Sequence, residues 1–312
     1  MSKRIAFLFS GQGAQKVGMG RELASRFPAA RRLFEQADAL LGCSLSAIAF
    51  EGPAETLTQT IHCQPALYVH GLAVLAALQE KCDAVLRPHA TAGLSLGEFT
   101  AHAAAGTFDF ETGLRLVAQR ARFMQEACDA TQGGMAALIG ADEPTVRQLA
   151  AEVDVDIANL NAPGQIVISG ESAKIALAIG RAKDFGIRRA IPLEVAGAYH
   201  SRLMNSAYLK LGAVLEATEL QTPGCKVYSN IDAQPVTDAA SIRNALREQV
   251  TGSVRWSDSI ERLIDDEQID LFIEFGPDTT LAGLLNRTRK GTPIVSIADE
   301  AGMEAACETI RG

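Results

Sequence analysis

No Cys-x-x-Cys pair and no short regular cysteine spacing occurs in the 312 residues. The six cysteines (Cys43, Cys63, Cys82, Cys128, Cys225 and Cys307) are scattered, which argues against a zinc ribbon or a disulfide-stapled scaffold. They are read as reduced thiols of a cytoplasmic protein. The five histidines (His62, His70, His89, His102 and His200) stand too far apart for a His-Glu-x-x-His motif, so no metal is expected. Positive charge is also short. Lys and Arg number 29 against 37 Asp and Glu, giving −8 and a pI near 5.3. This balance argues against a generic grip on nucleic acid, and a local basic patch stays open. The longest apolar run, Ala66–Leu78, contains His70 and Gly71 and falls short of the ~20 residues of a membrane span. Only five apolar residues separate Arg4 from Ser10, too few for a secretory leader. No repeat and no Pro/Ser-rich linker is visible. The remaining composition, 47% hydrophobic and 21% charged, is that of a globular protein able to build a large core.

The chain reads as α/β from its start. Arg4–Phe9 is a buried strand entering the turn Ser10-Gly-Gln-Gly13. Helical patterns follow at Ala30–Leu41 and Gln64–Gln79, a short strand at Thr91–Leu94, and helices at Leu96–Ala105 and Phe110–Cys128. This alternation predicts a parallel sheet. The rhythm then changes. Met135–Ile139 is a strand and Glu143–Glu152 a helix. Val155–Leu160 and Gln165–Ser169 are strands joined by Asn161-Ala-Pro-Gly164. Glu171–Phe185 is a helix and Arg188–Leu193 a strand. The order β-α-β-β-α-β is the ferredoxin-like arrangement. The expected organisation is a small subdomain at residues 128–197, interrupting a large subdomain of residues 1–127 and 198–312. Helices at Leu203–Ala217 and Ser241–Val250 resume the α/β pattern. A strand at Leu271–Glu274 then meets the Gly276-Pro277 turn and a helix from Asp278.

Gly93-Leu-Ser95-Leu-Gly97 is the strongest local signal. Glycines two before and two after a serine suit a sharp strand-to-helix turn that exposes the hydroxyl at the carboxyl end of a sheet. The alternative is an ordinary glycine-rich turn. A serine hydroxyl needs a base. His102 lies seven residues, or ~10 Å, further along a helix and points elsewhere. His62 and His70 sit in helical patterns and His89 in a loop. His200, in the loop Ala196-Gly-Ala-Tyr-His-Ser201 after the last strand of the insert, is the candidate base, with a structural role equally open. No acid between 95 and 200 stands on an obvious post-strand loop, which points to a dyad whose histidine is oriented by a main-chain carbonyl.

Helix 111–128 carries an anomaly. Gly113, Leu114, Leu116, Val117, Ala121, Phe123, Met124 and Ala127 form one apolar face. Arg120 falls inside that face, and no carboxylate stands three or four residues away. A buried guanidinium needs an anionic partner. That partner is a distant structural acid, or the side chain snorkels to the surface, or the anion arrives with the substrate. The turn Gly11-Gln12-Gly13 lacks the third glycine of a dinucleotide fingerprint, since position 16 is Lys16, and lacks a Gly-Lys-Ser/Thr. It can instead bring a backbone N–H of Gln12 to the loop holding Ser95 and complete an oxyanion hole.

Together these residues resemble the malonyl-CoA:acyl-carrier-protein transacylase family. The resemblance is carried by Gly11-Gln-Gly-Ala-Gln15, Gly93-Leu-Ser-Leu-Gly-Glu98, Arg120 in Gln-Arg-Ala-Arg-Phe-Met, and Asn159-Leu-Asn-Ala-Pro-Gly-Gln165. Gly197-Ala-Tyr-His-Ser201, Glu248-Gln249 before Val254-Arg-Trp256, and Glu274-Phe-Gly-Pro277 complete it. It implies an α/β-hydrolase-like part interrupted by a ferredoxin-like insert, and a Ser95–His200 dyad. The Gln249 carbonyl would orient the imidazole, and N–H groups of Gln12 and Leu96 would form the oxyanion hole. Arg120 would hold the malonyl carboxylate, with Asn161 near the site. Two positions depart or stand out. Leu94 replaces the histidine the family usually carries before its nucleophile. Tyr199 precedes His200, an aromatic often found in relatives that take malonyl. The expected activity is ping-pong malonyl transfer from malonyl-CoA to an acyl carrier protein for fatty acid biosynthesis, by a monomer needing no resident cofactor. A polyketide acyltransferase, a serine esterase and a silent carrier-binding subunit are the competing readings. Arg188-Arg189 and Arg287–Lys290 are candidate basic patches for an acidic carrier.

Overall fold

The computed structural model describes residues 3–311. Among the described residues ten strands organise the fold: β1 (Ile5–Phe9), β2 (Ala90–Gly93), β3 (Gly133–Ile139), β4 (Asp156–Ala162), β5 (Gln165–Glu171), β6 (Arg189–Pro192), β7 (Lys226–Tyr228), β8 (Pro235–Val236), β9 (Leu271–Phe275) and β10 (Ile294–Ser296). They form two sheets in a mixed α/β fold. The larger has the order β10-β9-β1-β2-β7-β8, parallel except for the β7–β8 edge. Its central strands are buried on both faces, as a parallel sheet covered by helices requires, and this is why Ile5–Phe9 reads as an unbroken apolar run. The smaller sheet has the order β4-β5-β3-β6 and is antiparallel throughout. Two helices, Glu143–Val153 and Ser172–Arg181, pack on it over an apolar cluster of their own.

The parallel arrangement determines where chemistry can occur. The strands β1, β2 and β7 run the same way, so the residues following them emerge along one edge, the carboxyl edge, of the sheet. Phe9 pairs with Gly93 at the end of β1 and β2. The turns after these strands therefore lie side by side, and the Leu94 N–H donates to the Phe9 carbonyl at 3.1 Å. A Cβ on Gly11 would lie 2.3 Å from the Leu94 carbonyl oxygen, so only glycine lets the two turns touch.

Three sequence expectations need correction. The helix read as Gln64–Gln79 runs from Thr60 to Cys82 and meets the length and hydropathy of a membrane span; 83% of its qualifying 18-residue apolar window is buried inside the protein. It is apolar all round because it packs between the large sheet and the helices Pro28–Leu41 and Phe110–Asp129. Asn161 belongs to β4 and not to the connecting loop. Ala162 pairs with Gln165, so the hairpin turn is only Pro163-Gly164, with Gly164 at φ 72°. The helix expected over Glu171–Phe185 ends at Arg181, tightens into a 3₁₀ turn, and stops at Gly186 with φ 70°.

The two sheets are joined near the site. Leu160 N donates to the Val254 carbonyl and Val254 N to the Ala158 carbonyl, both at 2.8 Å. Strand β4 is thereby fastened to the segment following Gln249.

Candidate active site

Ser95 sits between β2 and the helix Leu96–Ala104 with φ 54° and ψ −105°. L-residues avoid this conformation, and its presence here marks a position held by its surroundings. Gly93 and Gly97 explain how the turn is tolerated. A Cβ on Gly93 would come within 1.9 Å of the Gly97 backbone, and one on Gly97 within 2.1 Å of the Phe9 carbonyl oxygen. Asn230, just past β7, clamps the turn. Its Oδ1 accepts from Ser95 N–H at 2.6 Å and its Nδ2 donates to the Gly93 carbonyl at 2.8 Å.

The Ser95 Oγ lies 2.8 Å from His200 Nε2. His200 Nδ1 lies 2.6 Å from the Gln249 carbonyl oxygen. A carbonyl can only accept, so Nδ1 carries the proton and Nε2 offers its lone pair to the serine hydroxyl. His200 also holds a left-handed backbone, φ 54°. Burial, then the nearby Arg120 charge, lowers its pKa to about 4, which leaves the imidazole neutral and able to accept a proton at neutral pH.

Arg120 is 1% exposed, so it does not snorkel. Nη1 donates to Gln64 Oε1 at 2.7 Å; Nη2 donates to Gln249 Oε1 at 2.7 Å and to Ser95 Oγ at 3.0 Å. Its guanidinium carbon stands 5.4 Å from the centroid of the Phe99 ring. Neutral amide oxygens, not a carboxylate, surround it; among the described residues it forms no ion pair. Burial lowers its pKa to about 10, so it stays cationic at neutral pH. Of the three partners open in the sequence, the surface is ruled out and no acid contacts the guanidinium directly; Glu98 acts on it from the far side of the Gln249 amide.

A cleft of about 220 Å³ opens onto these groups, lined by Gln12, Ser95, Asn161, Tyr199 and His200, with Leu94 on its wall. The Tyr199 hydroxyl is 2.5 Å from Thr60 Oγ1 and accepts from Gln12 Nε2 at 3.4 Å. Asn161 Oδ1 is enclosed without a hydrogen-bond partner. Leu96 opens the helix Leu96–Ala104, so its N–H has no intrahelical acceptor. All eight site residues expected from sequence are therefore placed on one cleft or directly behind it. His102 is not among them. It is buried against Thr107 Oγ1 at 2.9 Å, with its pKa lowered to about 3 by burial. Three residues escaped the sequence reading as site components: Gln64, Glu98 and Asn230. Gln64 left little signal, because it stands before the apolar run Ala66–Leu78 and reads as a helix end until its burial is known. Asn230 left none, because β7 is only three residues long.

Among the described residues no group of three or more His, Cys, Asp or Glu side chains could hold a metal ion. A strained serine beside a neutral buried imidazole on a parallel-sheet edge is an arrangement suited to acyl-group chemistry. Residues 6–306 match the acyl transferase domain. The malonyl CoA-acyl carrier protein transacylase of Bacillus subtilis is 43% identical over 100% of this chain and 98% of its own length. A polyketide biosynthesis malonyl CoA-acyl carrier protein transacylase of the same organism is 40% identical over 92% of this chain and 97% of its own. A solved malonyl-transacylase, in complex with a holo type II polyketide acyl-carrier protein, superposes with a TM-score of 0.94. It is 36% identical, over 98% of this chain and 99% of that one. The chain belongs to the malonyl-CoA:acyl-carrier-protein transacylase family of acyltransferases.

Proposed function

We propose that this enzyme moves the malonyl group of malonyl-CoA to the phosphopantetheine thiol of an acyl carrier protein, for fatty acid biosynthesis. One observation carries the reading. A buried cation without an acidic partner stands one hydrogen bond from the hydroxyl that an imidazole is placed to deprotonate. A cation so close to the nucleophile favours an acyl chain whose carboxylate lies one methylene from the reacting carbonyl. Replacing neutral amide contacts with a carboxylate gives Arg120 a charge-assisted bidentate bond of ~1.5–3 kcal/mol.

The mechanism is ping-pong. Ser95 Oγ attacks the thioester carbon while His200 Nε2 takes its proton. The tetrahedral oxyanion lies at the N-terminus of the helix Leu96–Ala104, where the N–H groups of Leu96 and Gln12 stabilise it. The C–S bond breaks, His200 returns the proton to the CoA sulfur, and malonyl-Ser95 remains. The carrier thiol then attacks the ester carbon, again giving its proton to His200, and Ser95 leaves with that proton. The Gln249 carbonyl holds the imidazole through both halves. Asn161 and Tyr199 line the acyl end of the cleft, and Leu94 contributes no polar group there.

The chain divides into an α/β-hydrolase-like subdomain, residues 1–127 and 198–312, and a ferredoxin-like insert, residues 128–197. The sheet orders support this division, and so does the crossing at its ends, where a Cβ on Gly197 would meet Cys128 Sγ at 2.4 Å. The enzyme works as a cytoplasmic monomer; six free cysteines accord with a reducing compartment. For carrier docking, Arg188 and Arg189 are exposed and unpaired among the described residues, whereas Arg289 is engaged by Asp265 at 2.8 Å. The polyketide-type relative favours a second reading in which only the carrier differs.

Incubation with radiolabelled malonyl-CoA, then with acyl carrier protein, tests the proposal. Label is expected on the protein, absent from Ser95→Ala, and transferred to the carrier. Release as free malonate would instead identify an esterase, and no labelling a silent subunit.

A further inference from the structure

Behind the reacting groups lies a row of buried polar side chains that the transfer steps do not use. Glu98 is fully buried. Its Oε2 accepts from the Asn230 backbone N–H at 3.1 Å and from Gln249 Nε2 at 2.7 Å, while its Oε1 is enclosed with no hydrogen-bond partner. Gln249 links this row to the site. Its Nε2 also donates to the Ser95 carbonyl at 3.1 Å, its Oε1 accepts from Arg120, and its backbone carbonyl accepts from His200. The amide can serve both sides in one orientation only. Flipped, its NH₂ would face the guanidinium, donor against donor, and its oxygen would face Glu98 Oε2 and the Ser95 carbonyl.

We propose that Glu98 is a positioning residue acting as a neutral carboxylic acid: it locks the Gln249 amide, which fixes Arg120, while leaving the guanidinium charge uncompensated for the substrate. This rests on the reading that Arg120 receives the malonyl carboxylate. The two N–H donors at Oε2 favour ionisation, but Oε1, sealed without any donor, is a poor place for negative charge and is the oxygen left to carry the proton. Burial acts the same way and raises the carboxyl to about 8. The charges acting on it are Arg120, which favours ionisation, and Asp232, which opposes it. The titratable imidazoles nearby, His102 one turn along its own helix and His200 across Gln249, are both neutral at neutral pH. Once ionised, Glu98 would oppose the Arg120 charge and compete with an incoming carboxylate for it.

The test is the ratio of Ser95 acylation by malonyl-CoA to that by acetyl-CoA, measured for wild type, Glu98→Gln, Glu98→Leu and Arg120→Ala from about pH 6 to about pH 9. The wild-type ratio is expected to fall several-fold above about pH 8, whereas that of Glu98→Gln stays level. Glu98→Leu is expected to lose about tenfold in the ratio at neutral pH, and Glu98→Gln to rescue it. A folded Glu98→Leu with the wild-type ratio, a Glu98→Gln as impaired as Glu98→Leu, or identical pH profiles for wild type and Glu98→Gln would each overturn the proposal. Should Glu98→Leu not fold, the comparison of wild type with Glu98→Gln decides alone. An Arg120→Ala ratio equal to wild type would remove the underlying reading. A collapsed Arg120→Ala ratio with indifferent Glu98 variants would remove only this one.

Discussion

The two walls of the cleft are built differently. The wall on the side of the large sheet, where Ser95 and His200 line the cleft, is backed by a bonded array of buried polar groups: Ser95, Glu98, Arg120, His200, Asn230 and Gln249 are all at least nine-tenths buried, and each hydrogen-bonds another member. The wall supplied by the small sheet and the segment leading back from it mixes apolar and polar groups without a bonded array, with Met135, Val167, Leu193 and Val195 lining the cleft beside Asn159, Asn161 and Glu194. Charge that develops during a reaction is best met by dipoles already fixed in place, and fixing them requires burial and mutual bonding. Holding the arm of a thioester requires only surface. The division therefore assigns rate and acyl selectivity to the first wall and substrate affinity to the second.

Four substitutions or conditions can break or sharpen that division. Ser95→Ala removes the atom that the proposed mechanism acylates, and the expected loss in transfer rate is on the order of 10⁴-fold or more, read by single-turnover transfer to a carrier protein. Arg120→Ala is expected to reduce the preference for malonyl over acetyl about tenfold or more, equivalent to about 1.4 kcal/mol, measured as a ratio of kcat/KM values. A loss confined to KM for both substrates alike would move Arg120 to the affinity side. The pH profile comes next in size. In the proposed mechanism His200 must be neutral to accept the serine proton, and its pKa is lowered to about 4. The acylation rate is expected to stay level through about pH 6.5, where an ordinary histidine titrates, and to fall only as pH drops towards about 4. An acid limb centred near the ordinary value would mean that the imidazole is solvated. The smallest effect belongs to the second wall. Leu193→Ala is expected to raise KM for malonyl-CoA a few-fold, under about 1 kcal/mol, with kcat little changed. A kcat loss matching that of Arg120→Ala would end the division of labour.

The polar wall was partly legible in the sequence. Arg120 declared itself because a cation inside an apolar helical stripe breaks a periodic pattern, and Ser95 because two glycines at fixed offsets have a steric meaning. Leu94 declared itself only by comparison with a family habit. Glu98 was hidden although it lies three residues from the nucleophile. A glutamate in the first turn of a helix is ordinary, and nothing local says that it is buried. Helix Thr60–Cys82 was underestimated for a related reason. Its polar residues, such as Thr60 and Gln64, look like helix ends until their burial is known. The three-residue strands β7 and β10 were missed because a run so short holds too little of a period to detect.

The sequence by itself determined the alternation of elements, the strained serine turn, the misplaced guanidinium and the family. All of these rest on local sterics or on periodicity along one segment. Only the tertiary structure decided that the guanidinium bonds amides and touches no acid, that the imidazole reaches the serine from 105 residues away, and that a buried glutamate stands behind both. These are matters of which long-range neighbours share a low-dielectric space, and neighbours brought together by sheet order leave no trace in the spacing of residues along the chain.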